Sequence, residues 1–144
     1  MNFYIAAKYI RRLEMQGYAR ELEAVGHYVT SRWLSGSHDG LGDGSDSVAA
    51  RAVWAEEDVD DLCAAGAIIC FTEPAISMVG RGGRHIELGI AMGMNIIRRH
   101  LHMRTMRLIV VGPRESVFHC RPELDVFPTW AECLAALSME PVRL

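Results

Sequence analysis

The chain has 144 residues, half of them hydrophobic and 23% charged, with a formal net charge of −3. That length suits a single domain with a real core, since domains commonly run about 100–150 residues. No apolar run approaches the roughly 20 residues that cross a bilayer, so no membrane is expected, and the slight acidity argues against a nucleic-acid polymer, whose binders carry a basic excess.

Residues 2–7 (NFYIAA) read as a short buried strand. Residues 9–24 place Ile10, Leu13, Tyr18, Leu22 and Ala24 at helical spacing with charges between them, and Gly26 is the stop that commonly follows a helix C-terminus. His27 to Trp33 is rich in β-branched and aromatic residues and reads as a second strand. One helix between two strands makes a βαβ unit, hence a parallel pair.

Residues 35–47 hold four glycines, four serines and three aspartates, a composition that predicts a flexible loop, either a lid or a solvated insertion. Residues 48–65 resume the helical pattern. Residues 67–72 (AIICFT) are apolar on both faces, as a central parallel strand should be. Gly80-Arg81-Gly82-Gly83 then leads into a helix whose stripe Ile86, Ile90, Met94, Ile97 and Leu101 carries it to about residue 103. A strand over 106–111 stops at Gly112-Pro113, a short apolar piece follows at Val117 and Phe118, and a helix closes the pattern over about 129–138. Alternating strands and helices with short connections specify a three-layer α/β fold on a parallel sheet, in one domain over 1–144. Ligands of such folds bind at the carboxyl edge of the strands.

Two compositional features bear on chemistry. Fourteen of the fifteen basic residues are Arg, with Lys8 the single lysine; codon bias explains this, or a taste for anionic ligands that the guanidinium fork grips. Cys63, Cys70, Cys120 and Cys133 are widely spaced with no CxxC pair, so reduced thiols, no bound metal and a cytoplasmic location with no signal peptide are expected.

The strongest local signal is Arg81-Gly82-Gly83-Arg84-His85-Ile86-Glu87-Leu88-Gly89. Paired glycines at a strand-to-helix turn let the backbone approach a ligand, and the new helix points free N–H groups at it. Glu87 is expected in the first turn, where the helix dipole favours an ionised carboxylate, either as a simple helix-end charge or as a nucleophile. Asp58, Asp61 and Leu62 stand at i, i+3 and i+4 within Glu56-Glu57-Asp58-Val59-Asp60-Asp61, so the aspartates either join a solvated acidic face or turn inward with Leu62. Two carboxylates meeting in a cleft would suit glycosidic chemistry. Ala6 and Ala7 leave space at the end of the first strand, where Lys8 or Arg11 could meet a phosphate. His85 and His119 are acid–base candidates or plain structural histidines.

Taken in order, Tyr4-Ile5-Ala6, Gly26-His27…Val29-Thr30-Ser31-Arg32-Trp33, Glu57-Asp58…Asp61, Gly82 to Gly89, Val110 to Glu115 and Val117-Phe118-His119 resemble the nucleoside 2-deoxyribosyltransferase-like family, in the group related to deoxyribonucleoside 5′-monophosphate N-glycosidases. The resemblance implies a flavodoxin-like (Rossmann-like) fold with a five-stranded parallel sheet, a homodimer or larger homo-oligomer, and cleavage or transfer at the N-glycosidic bond of a small nucleoside or nucleotide, without cofactor. It implies Glu87 as nucleophile, Asp58 as the acid that serves the departing base, and Tyr4 as the hydroxyl that positions Glu87. Ala6, Lys8, Trp33, Asp61, Arg81, Gly82, Gly83, Arg84 and His85 form the expected substrate-binding set. Residues 94–105 read as an insertion. The competing expectations are a nucleotide-binding module without turnover and a phosphoribohydrolase-type N-glycosidase, although the latter's Pro-Gly-Gly-x-Gly-Thr run is not matched.

Overall fold

The computed structural model describes residues 1–36, 47–74 and 82–139. Most of the loop read at 35–47, together with Arg81, lies outside them. Five parallel strands form one sheet in the order β2-β1-β3-β4-β5: β1 (Asn2–Ala6), β2 (Tyr28–Val29), β3 (Ala67–Phe71), β4 (Arg107–Val111) and β5 (Leu124–Phe127). The helices are α1 (Arg12–Ala24), α2 (Val48–Cys63), α3 (Gly83–His100) and α4 (Trp130–Ser138). This is a flavodoxin-like, three-layer α/β arrangement. β1 is flanked by β2 and β3, so the chain leaves β1 in both directions, and the topological switch point falls between β1 and β3. Ligands of open α/β sheets bind outside the carboxyl edge at such a point.

Burial follows the strands. All of β3 is buried, as are Phe3 to Ala6 of β1 and Leu108 to Val111 of β4. α1 and α4 share one face of the sheet, where Tyr18 stacks on Trp130 (centroids 4.6 Å apart) and on Phe71 (5.4 Å). α2 and α3 cover the other face. Local chemistry ends the elements as expected: Gly26 turns with φ +87° after α1, the Ser47 hydroxyl accepts the Ala50 N–H at the start of α2, and Thr129 with Glu132 forms a capping box on α4.

The structure departs from the sequence reading in four places. The second strand shrinks from 27–33 to Tyr28–Val29, because Ser31 Oγ accepts the Ile5 N–H (2.7 Å) and Trp33 Nε1 donates to the Ile5 carbonyl (2.9 Å), so side chains replace the ladder. Arg32–Ser35 then coils into a 3₁₀ turn. β5 was not assigned from the residues; its short Leu-Asp-Val-Phe run lacks a strong period. The helix read at 9–24 begins as a 3₁₀ turn over Tyr9–Arg11; Ile10 there and Leu13 on α1 face solvent, while Met15, Ala19 and Leu22 face the core. On α3 the fully buried face is Arg84, Leu88, Ala91 and Asn95; of the stripe, Ile86, Ile97 and Leu101 are exposed, while Ile90 and Met94 pack partly buried against the core.

Residues 94–105 form the last turns of α3 and most of its connection to β4. α3 runs to His100, His102 takes a left-handed turn (φ 54°), and buried Asn95 exchanges two 2.7 Å hydrogen bonds with the Met106 backbone. At the end of β4, Gly112 has φ +116°, and a Cβ there would lie 2.5 Å from Thr72 Oγ1 and 3.1 Å from the Thr72 carbonyl. Gly112→Ala is therefore expected to destabilise the fold by on the order of 2–4 kcal/mol, from backbone strain plus overpacking, read as a lowered denaturation midpoint in urea.

Candidate active site

β1 delivers Tyr4 to the switch point from the α2/α3 side of the sheet. The side chain is fully buried, and its hydroxyl donates to Glu87 Oε1 at 2.7 Å, a contact spanning 83 residues of sequence. α2 brings Asp58 to the same place. Leu62 anchors α2 in the core, and Asp58 and Asp61, one turn earlier and one residue before, turn inward with it. Asp61 is committed to structure: its two oxygens accept the Arg32 backbone N–H and Arg32 Nε, both at 2.7 Å. That pair ties α2 to the 3₁₀ turn behind β2.

The electrostatics correct one expectation. α3 begins at Gly83, so Glu87 is its fifth residue and stands beyond the first turn. Burial pushes its carboxyl up to about 7, with Asp58 adding to the rise and the Tyr4 hydrogen bond opposing it. Asp58 is likewise pushed up to about 7, chiefly by burial, against the pull of Tyr4. Burial, then the charges of Glu87 and Asp58, raise the Tyr4 hydroxyl well above its ordinary value, so it stays a donor. Both carboxyls stand near neutrality, and Asp58 raises Glu87, so the two titrations are linked. Perturbation of this kind in a cleft marks a candidate for proton-transfer chemistry.

A second cluster sits on the other flank of α3. Arg84 Nη2 donates to both oxygens of Glu115 at 3.0 Å, and His85 Nε2 lies 3.0 Å from Glu115 Oε2. The Glu73 backbone N–H donates to Glu115 at 2.6 Å, and the Glu115 N–H donates to Nδ1 of buried His119 at 3.0 Å. Burial lowers the affinity of both histidines for protons; Arg84 adds to this at His85, and His85 adds to it at His119. Glu115 thus joins the ends of β3 and β4 to the start of α3. It carried no role in the sequence reading, although its place just past a strand's carboxyl edge was a usable signal.

The expected binding residues divide accordingly. Lys8, Gly82, Arg84 and His85 line a cavity of about 620 Å³ whose floor is Leu88, Gly89 and Met92. Tyr4, Asp58 and Glu87 are not among its lining residues; they lie across the first turns of α3 from it. Gly82, with φ +78° at the α3 N-cap, and exposed Gly83 begin the helix that separates the two regions. Ala6 is buried at the end of β1, and Trp33 is buried with its N–H spent on Ile5, so both act here as core. Among the described residues, no group of three or more His, Cys, Asp or Glu side chains could hold a metal ion, and no helix is long and apolar enough to cross a membrane.

No protein-family model matches the chain, and no curated protein matches it. Solved structures do. The chain is similar to a 2-deoxyribosyltransferase from the psychrotolerant bacterium Bacillus psychrosaccharolyticus, with a TM-score of 0.63 and 14% identity over 99% of this chain and 93% of that one. It is also similar to the CMP N-glycosidase BcmB of Clostridium botulinum, with a TM-score of 0.59 and 17% identity over 97% of this chain and all of that one. At these identities the likeness is one of fold.

Proposed function

We propose that this chain cleaves the N-glycosidic bond of a nucleoside or nucleotide, passing the sugar to water or to a second base. The observation that carries the reading is the part-buried Tyr4–Glu87 hydrogen bond with Asp58 beside it, at the switch point of the sheet. The two structural neighbours named above, a deoxyribosyltransferase and a CMP N-glycosidase, support the same bond as the target.

In this scheme ionised Glu87 attacks the anomeric carbon while the C–N bond to the base breaks. The electron pair of that bond leaves with the base, and protonated Asp58 supplies the proton that neutralises it, a contribution of about 10²–10⁴ in rate. Tyr4 fixes the attacking carboxylate and lowers its proton affinity. Positive charge that develops on the sugar is met by Glu87 at short range. The glycosyl ester is then opened by water, which restores Glu87 and protonates Asp58 again, or by an acceptor base, which gives the transferred nucleoside. Gly82, Gly83 and Lys8, with Arg81, are placed in sequence to hold a 5′-phosphate at the start of α3.

A panel of nucleosides, deoxynucleosides and their 5′-monophosphates, with and without free base, tests the reading by chromatography. Release of base from at least one member is the expected result. Release without acceptor identifies a hydrolase, and exchange only with acceptor identifies a transferase. Binding without release across the panel would replace the proposal with a nucleotide-binding module.

A further inference from the structure

The cavity beside α3 holds groups that the proposed reaction does not use. Its volume of about 620 Å³ falls within the range of small-molecule sites, about 300–1,000 Å³, which are mostly apolar with a few placed polar groups. Leu88, Met92, Ile96 and Phe118 supply apolar lining, and His85 and His119 supply polar atoms. The tautomers of both rings follow from their partners. His119 is 1% exposed, and its Nδ1 accepts the Glu115 N–H at 3.0 Å, so in the neutral ring the proton sits on Nε2. That Nε2–H makes no hydrogen bond among the described residues. His85 is the reverse case. Two lone pairs 3.0 Å apart repel, so its Nε2, at that distance from Glu115 Oε2, carries the proton, and its Nδ1 is left as an acceptor. Burial lowers the proton affinity of both rings, so these neutral forms prevail near pH 7.

We infer that this cavity binds a planar heterocycle with a cis-amide edge, the –NH–C(=O)– unit of a lactam, its carbonyl taking the His119 Nε2–H and its N–H donating to His85 Nδ1. The two rings stand 5.7 Å apart, centroid to centroid, and 32° from parallel, close enough for one small edge to meet both. A buried donor left unmet is unfavourable, and a ligand carbonyl satisfies it. A donor beside an acceptor matches a lactam, whereas an anion would set an acceptor against His85 Nδ1. Charge agrees. Of the cations lining the cavity, Arg84 is paired with Glu115 and Arg121 with Glu123, so a neutral ligand suits it better than an anion. Leu88, Met92 and the Phe118 ring are the apolar groups that cover the faces of the heterocycle. Oxo-substituted nucleobases are members of this ligand class. Binding here is independent of the proposed chemistry, because Tyr4, Asp58 and Glu87 do not line the cavity.

Isothermal titration calorimetry with 2-quinolone, a bicyclic lactam with no other polar atom, tests the site. Saturable binding of one molecule per chain is expected. Its N-methyl derivative, which lacks the donor, should bind at least about tenfold more weakly, because His85 Nδ1 is then left without a partner. His85→Ala should lose a similar factor for 2-quinolone at an unchanged circular dichroism spectrum, since the side chain is 38% exposed. Gly89→Phe should abolish binding by filling the cavity floor; a Cβ at Gly89 meets nothing within 4 Å, so the helix accommodates the ring. Glu87→Ala should bind 2-quinolone as the wild type does, whether or not base release is found with any nucleoside. No binding of 2-quinolone, equal binding of the two compounds, or undiminished binding in His85→Ala or Gly89→Phe overturns the inference. Loss of binding in Glu87→Ala would place the ligand at the reaction site and overturn it equally.

Discussion

Glu87→Ala is expected to abolish base release, lowering kcat/KM by at least about 10³-fold while the fold persists, because the covalent step loses its nucleophile. The side chain is only partly buried, and the hydrogen bond it makes is to Tyr4, so its removal opens space without emptying the core. That space permits a positive control. Added azide or formate can enter from the side Glu87 occupied and attack the anomeric carbon in its stead. Base release by Glu87→Ala should therefore rise with azide concentration and yield a glycosyl azide, followed by chromatography and mass spectrometry. Wild-type rates in Glu87→Ala would rule out this nucleophile. A loss of rate that accompanies a lost circular dichroism spectrum would instead assign Glu87 to folding.

The second large effect is on stability, and its sign is opposite. Glu87 takes up its proton at about 7 in the folded chain, against 4.5 ordinarily, so the folded state binds that proton more tightly than the unfolded state does. Its contribution is fully present below about pH 4 and is lost as pH rises through 7. Glu87→Gln cannot ionise and escapes the loss. Above pH 8 it should be more stable than wild type by on the order of 2–3 kcal/mol, at 1.36 kcal/mol per pKa unit, and at pH 4 the two should coincide. Urea denaturation of both chains at each pH measures this, and the titrations of groups that do not interact with Glu87 cancel in the comparison. Because Asp58 raises Glu87, Asp58→Asn should also bring the Glu87 value down, so the two substitutions combine less than additively. The same coupling shapes activity. The productive form keeps the proton on Asp58 and the charge on Glu87, so kcat/KM should be bell-shaped in pH, with its two limbs on either side of about 7.

Much of this was legible before any coordinates. β3 could be read from AIICFT because a strand covered on both faces has no polar positions to disguise it. The inward turn of Asp58 and Asp61 was one of the two outcomes that their spacing to Leu62 allowed. What the sequence hid was direction and partnership. The α3 stripe has helical period, but period alone cannot say whether a stripe meets the sheet or faces away. The core face instead carries Arg84 and Asn95, polar residues whose partners, Glu115 and Met106, are 31 and 11 residues distant. Trp33 stood in the expected substrate-binding set, and nothing in its neighbourhood revealed that its N–H is claimed by Ile5. Likewise the proton affinity of Glu87 depends on burial against Tyr4 and Asp58, which no local motif encodes.

The sheet separates two kinds of residue. The three reacting groups, Tyr4, Asp58 and Glu87, hang from β1, α2 and α3, whereas the Tyr18–Phe71–Trp130 stack and the Trp130 Nε1–Glu21 bond (2.7 Å) hold α1 and α4 on the far side. Laboratory evolution of this scaffold can exploit that partition. Libraries confined to α1 and α4 search for thermal tolerance at little risk to turnover, and libraries on α2 and α3 search for new substrates while the aromatic stack keeps the scaffold folded. Gains from the two searches should combine freely, because five strands of backbone stand between them.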